Sequence, residues 1–129
     1  MMQRVSTGSP FEAKFGYSRA VRHGDTIYVS GTTGYDYATM KMPDSVGEQA
    51  NNALATIDKA LREAGSSIED TVRVVYYVGD ASYVDDVVAA VGAVFKDIRP
   101  AASMLIVKMI EDAMKIEIEV TARIGAARS

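Results

Sequence analysis

The stretch Lys115-Ile116-Glu117-Ile118-Glu119-Val120-Thr121-Ala122-Arg123 alternates apolar and polar residues without a fault. A period of two places Ile116, Ile118 and Val120 on one face of a β-strand. Lys115, Glu117, Glu119, Thr121 and Arg123 fall on the other. The apolar face needs a layer packed against it, so the search turns to what the rest of the chain supplies.

Residues 3–7, 17–22, 26–31, 72–78 and 102–107 read as further strands. Gly24-Asp25 makes a tight hairpin turn between the second and third. Residues 32–43, rich in Tyr, Thr and Gly, read as a loop. Ser45 followed three residues later by Glu48 is a capping box. It opens a helix whose apolar stripe is Val46, Ala50, Ala53, Leu54, Ile57, Ala60, Leu61 and Ala64, with Gly65 at the C-terminal cap. A second helix is expected to start at Ser82 and Asp85. Its stripe is Val84, Val87, Val88, Val91, Val94, Phe95 and Ile98, and Pro100 ends it.

Two crossovers of the same hand and direction put both helices on one side of the sheet. Yet residues 27–29, 72–78 and 104–107 are apolar on both faces. No helix remains for the second face, so an identical subunit is expected to cover it. The expected fold class is α+β: a six-stranded mixed sheet with two helices packed on one face, in one domain spanning residues 1–129.

Composition narrows the function. The chain has no cysteine, which excludes a disulfide scaffold, a thiolate nucleophile and a Cys-ligated metal. With 14 basic and 17 acidic residues, the net charge is -3. That is not the basic stripe that nucleic acid requires, so no nucleic-acid partner is expected. No apolar run is long enough for a membrane span, and residues 1–10 hold no apolar stretch suited to a signal peptide, so none is expected. A cytoplasmic protein with a small-molecule ligand and no membrane partner is expected. His23 is the lone histidine. One histidine provides neither a metal-binding pair nor the acid and base of ribonuclease chemistry, so neither a metal nor RNA cleavage is expected.

Several blocks resemble one known family. Tyr17-Ser18-Arg19-Ala20-Val21, then Tyr28-Val29-Ser30-Gly31, is similar to the N-terminal hairpin of the Rid family (reactive intermediate deaminases, also called YjgF or L-PSP endoribonucleases). Glu48-Gln49-Ala50 through Ala64-Gly65 resembles its first helix. Arg99-Pro100-Ala101-Ala102-Ser103 and Lys115-Ile116-Glu117-Ile118-Glu119 resemble its C-terminal signature. The resemblance implies a fold like trimeric chorismate mutase, a homotrimer with clefts between subunits, and cofactor-free hydrolysis of imines or enamines. It implies that Glu117 positions the attacking water and that Tyr17, Ser30 and Gly31 line the cleft.

The resemblance also marks a departure. The deaminases hold the substrate carboxylate with an arginine where this chain has Ala102, and Val88 stands where they have an asparagine. The chain therefore reads as a divergent subgroup, with a loop at Tyr35-Asp36-Tyr37 of its own kind. A methyl group cannot replace a guanidinium fork on a carboxylate. Arg19, two residues from Tyr17, is the candidate replacement anchor; Arg73 and Arg99 are weaker ones. From the residues alone, Glu117 and Glu119 are either a solvated or intersubunit face or a catalytic pair. Two functions remain open: hydrolysis of an imine, enamine or related C–N compound, or non-catalytic binding of a metabolite.

Overall fold

In the computed structural model, which describes Met2–Ser129, the alternating C-terminal strand lies inside the sheet. The elements are β1 (Met2–Val5), α1 (Pro10–Phe15), β2 (Ala20–His23), β3 (Thr26–Thr33), α2 (Val46–Glu63), β4 (Thr71–Val78), α3 (Val84–Phe95), β5 (Ala101–Ile106) and β6 (Ile116–Arg123). The strand order is β1-β2-β3-β6-β4-β5. Only the β4–β5 pair is parallel, as the α3 crossover between them requires. The last strand thus slots between β3 and β4, and the α+β mixed sheet is the one the sequence implies.

Ile116, Ile118, Val120 and Ala122 are all buried on the helix side of the sheet with Ile27, Val29, Val74, Tyr76 and Val78, and α2 packs over β3 and β6. Helix α2 opens as its sequence demands: the Ser45 hydroxyl accepts the Glu48 N–H at 3.3 Å. Its alanines at 50, 53 and 60 are buried without bulk, so the helix packs against β3, β6 and α3.

Three expectations need correction. The α3 start is set by neither Ser82 nor Asp85. Asp80 accepts the Ser82 N–H at 2.9 Å, capping a 3₁₀ turn, Ala81–Tyr83, that runs into the helix. Within the valine-rich stripe, Val87, Val91 and Phe95 are buried, but Val88 is 51 % exposed. Val84, Val94 and Ile98 are partly buried against the core, so the apolar face is wider than the surface that α3 fully buries.

The third correction is α1. Ser9 caps it by accepting the Phe11 N–H, Pro10 occupies its first turn, and Gly16 ends it at φ 75°. Residues 17–19 are therefore the exit of a helix, and β2 begins only at Ala20. The second sheet face is also not without a helix. Phe11 and Phe15 of α1 border it, beside Val21 and Tyr28.

Candidate functional site

The site begins with a register fault. Val29 pairs with Val120, but the next matched pair is Thr32 with Ile118. Three residues of β3 advance against two of β6, and the surplus makes a β-bulge at Ser30-Gly31. The bulge lays the Gly31 backbone against the side chain of Glu117. A Cβ at Gly31 would overlap the Glu117 carboxylate, so the residue there must be glycine for Glu117 to keep its place.

Arg19 holds the bulge from beneath. It is fully buried. Its Nη1 donates to the Gly31 carbonyl at 2.8 Å and to Thr32 Oγ1 at 3.1 Å, and its Nη2 donates to the Tyr17 hydroxyl at 3.1 Å. The Tyr37 ring lies 4.7 Å from the guanidinium carbon and the Tyr17 ring 5.4 Å from it, both within cation–π range. Ser30 adds two ties of its own, from its N–H to the Arg19 carbonyl and from its hydroxyl to the Ser18 carbonyl at 2.6 Å.

Glu117 stands on the β6 face opposite the core. Burial pushes its carboxyl above the usual carboxylate range; Arg19 pulls it down and Glu119 pushes it further up. Among the described residues, no hydrogen bond offsets that burial. Glu119, two residues on, differs in having a partner: the Tyr77 hydroxyl donates to it at 2.8 Å.

These groups floor a cleft of about 470 Å³. Tyr17, Ser30, Gly31, Thr33, Tyr37, Glu117 and Glu119 form its polar side. Phe11, Phe15, Val21, Tyr28, Ile110 and Met114 form the apolar side, with Ile110 84 % exposed at the rim.

Two loops frame the cleft, and Gln49 pins both. Its amide donates to the Pro43 and Ala113 carbonyls and accepts the Lys115 N–H at 2.9 Å. The Tyr35 hydroxyl joins the two loops by donating to Glu111 at 2.6 Å, a bond that pushes the phenol up to about 12. The Tyr37 hydroxyl accepts the Thr33 N–H at 3.1 Å, which keeps its ring against Arg19.

The structure brings Tyr17, Arg19, Ser30, Gly31 and Glu117 together. It does not bring Ala102 to them. Ala102 pairs with Val74, whose side chain is in the core, so it faces the helix side of the sheet from the edge strand. Arg73 lies on the Glu119 side of the sheet but is exposed, 3.5 Å from Ser103 Oγ. Arg99 is exposed at a positive φ of 59°, and His23 is exposed beside its turn. Neither Arg73, Arg99 nor His23 lines the cleft. Among the described residues, no cluster of three or more His, Cys, Asp or Glu side chains could hold a metal, and no helix is long and apolar enough to cross a membrane.

Sequence reasoning missed Phe11, Phe15 and Gln49. The Ser9-Pro10 start and Gly16 stop would have located α1 and its two rings. Gln49 carried a signal as well: it is a polar residue inside the buried stripe of α2.

Comparison with known proteins agrees with this architecture. The family description Endoribonuclease L-PSP matches residues 7–124. An uncharacterized protein of Streptomyces coelicolor is 33 % identical over 99 % of this chain and 96 % of its own length. The bovine 2-iminobutanoate/2-iminopropanoate deaminase is 30 % identical over 92 % of this chain and 87 % of its own. A crystal structure from Mycobacterium tuberculosis, of the YjgF/YER057c/UK114 family, superposes with a TM-score of 0.88 at 38 % identity, covering 96 % of this chain and 100 % of that one.

Proposed function

Given that the chain belongs to the Endoribonuclease L-PSP family, we propose that its cleft binds a small metabolite and hydrolyses a C–N bond in it, with Glu117 as the catalytic group. The observation that carries this reading is a shielded carboxylate with no hydrogen-bond partner, placed against a glycine backbone at the floor of a cleft. Such a group is free to accept a proton from water. The chemistry balances without a cofactor. Water oxygen adds to the carbon of a C=N bond while Glu117 takes one of its protons. That proton passes to nitrogen and gives a carbinolamine; its hydroxyl proton then moves by way of Glu117 to the nitrogen as the C–N bond breaks, so that ammonia leaves and a ketone or aldehyde remains.

In this reading Tyr17, Ser30 and Gly31 wall the ligand. Arg19 supports them from below and does not touch the ligand. Ala102 and Val88, both exposed, are the surfaces a second copy of the chain would offer in a homotrimer. Light scattering that gives a monomer at micromolar concentration would remove that part of the proposal. RNA cleavage is disfavoured because Glu117 and Glu119 would repel a phosphodiester.

The test is ammonia release from a panel of imines and enamines by wild type and Glu117→Gln. Release that stops in the variant supports the proposal. Release that continues unchanged in Glu117→Gln contradicts it.

A further inference from the structure

Glu117 is held in place along two routes through the chain, and both pass through Gln49. The first is short. Lys115 stands immediately before β6, two residues from Glu117. Its N–H donates to Gln49 Oε1 at 2.9 Å, and Gln49 Nε2 donates to the Ala113 carbonyl at 3.0 Å. One side chain thus fixes the entry of the strand that carries Glu117.

The second route runs through residues 34–43. At the end of that loop, Gln49 Nε2 donates to the Pro43 carbonyl at 2.8 Å. At its beginning, Gly34 lies directly on α2: a Cβ there would stand 2.5 Å from both Cα and Cβ of Gln49. The loop so seated carries Tyr37, whose ring lies 4.7 Å from the Arg19 guanidinium carbon. Arg19 donates to the Gly31 carbonyl at 2.8 Å, and Gly31 lies against Glu117.

The residue type matters at this position. Gln49 is fully buried beside the capped start of α2, among Val46, Ala50 and Ala53. Burial alone would be met by another apolar side chain. Two carbonyls and one N–H converge on it, so the group must present two donors and one acceptor, as a primary amide does. Glutamate would set a carboxylate against two carbonyl oxygens. Methionine would leave three backbone groups without a partner.

From these three hydrogen bonds and the Gly34 seat we infer that Gln49 is a positioning residue for Glu117: from outside the cleft, it sets the strand entry and the loop that together hold the carboxylate at the cleft floor. This role rests on the proposal that Glu117 is the catalytic group. Every tie lies within one chain, so the ties hold whatever a second copy adds to the cleft.

The experiment uses the full chain with Gln49→Met, Gly34→Ala and, as a control, Ile57→Val. Ile57 is buried on the same helix, two turns further along, so its variant weakens the core away from both loops. Circular dichroism sets conditions in which the variants are folded. Gln49→Met should lower kcat for ammonia release at least about ten-fold and change KM by less than about three-fold, because the misplaced group acts in the chemical step. Gly34→Ala keeps the amide but lifts the loop, and should lower kcat by a smaller factor. Ile57→Val should leave kcat per folded molecule unchanged. Native-state hydrogen exchange supplies a readout that needs no turnover. The Ser30 N–H donates to the Arg19 carbonyl and the Thr33 N–H to the Tyr37 hydroxyl, so neither touches Gln49. In Gln49→Met both should speed up at least about ten-fold more than the amides of β4, which lies inside the sheet. If Gln49→Met does not fold, Gly34→Ala is read at the same amides. Equal acceleration at all these amides, acceleration at none, or an unchanged kcat in folded Gln49→Met would overturn the inference. If wild type releases no ammonia from any imine or enamine, the hydrolase proposal fails, and the exchange pattern alone decides whether Gln49 holds the cleft floor.

Discussion

Glu12, in the first turn of α1, accepts the Thr7 N–H and the hydroxyls of Ser6 and Thr7. Glu117, on the open face of β6, accepts no hydrogen bond from the described residues. Burial works to raise both carboxyls. At Glu12 the Thr7 and Ser6 donors, with help from Arg19, outweigh it and hold the group below the usual range; at Glu117 burial prevails. Arg19 favours the charged form of both, so it is not the source of the difference. The difference lies in local donors. Glu12 ties residues 6–7 to the helix behind them, and its capacity is used up. Glu117 is left open toward a cleft, and its capacity is available to water and ligand. The comparison separates a carboxylate that serves the fold from one that the fold sustains at a cost.

Activity should separate the two most. Glu117→Gln should slow C–N hydrolysis by about 10²–10⁴-fold, the usual contribution of a general base. Glu12→Gln should leave the rate per folded molecule unchanged. Equal losses in steady-state assays at matched folded concentration would erase the distinction.

Arg19→Met, which removes the shared charge, ranks next. It leaves the Gly31 carbonyl and the Tyr17 hydroxyl without their donor and should cost about 2–3 kcal/mol in denaturant unfolding. Glu117 would also lose the group that lowers it, so the acid limb of the pH–rate profile should move to higher pH. An unmoved limb in a folded variant would show that Arg19 acts only on the bulge.

Stability should then divide the carboxylates with opposite signs. Glu12→Gln should lose about 1–2 kcal/mol at neutral pH, because two hydroxyls and one N–H lose a charged acceptor. Glu117→Gln should be neutral or raise Tm, because it removes a shielded charge that no donor satisfies. A loss of Tm in Glu117→Gln equal to that in Glu12→Gln would mean that Glu117 is a structural residue.

How far the sequence reveals this contrast follows from what each feature depends on. The alternation of β6 is local, so the two faces of that strand, and Glu117 on the open one, could be read directly. The α2 cap and stripe are equally local. The bulge at Ser30-Gly31 is a relation between β3 and β6, which lie far apart in sequence, and no pattern in either strand shows the extra residue. Arg19 was legible as the charge beside Tyr17, but not as a buried fork, because its acceptors at Gly31 and Thr32 exist only once the bulge has formed. Its neighbour Tyr37 comes from a loop with no periodicity at all. Ala102 reads as a cleft wall only through the resemblance, and within one subunit it does not reach the Glu117 floor. Its pairing with Val74 turns it to the other face of its own subunit.

The smallest expected effect is on the pH dependence of stability. Glu12 has a lowered folded pKa, so its contribution is complete above the unfolded value of 4.5 and is lost as pH falls through the folded value. Glu117 has a raised folded pKa, so its contribution is complete below 4.5 and is lost as pH rises through the folded value. The stability gap between wild type and Glu12→Gln should therefore close on acidification. The gap between wild type and Glu117→Gln should open as pH rises past 4.5. Tm series across that window check both.

Carbon-detected NMR titration of the side-chain carboxyls in the wild-type protein tests the contrast most directly, because it reads Glu12 and Glu117 in one sample. The account predicts that Glu117 titrates above 4.5 and Glu12 below it. A Glu117 that titrates at or below Glu12 would contradict it.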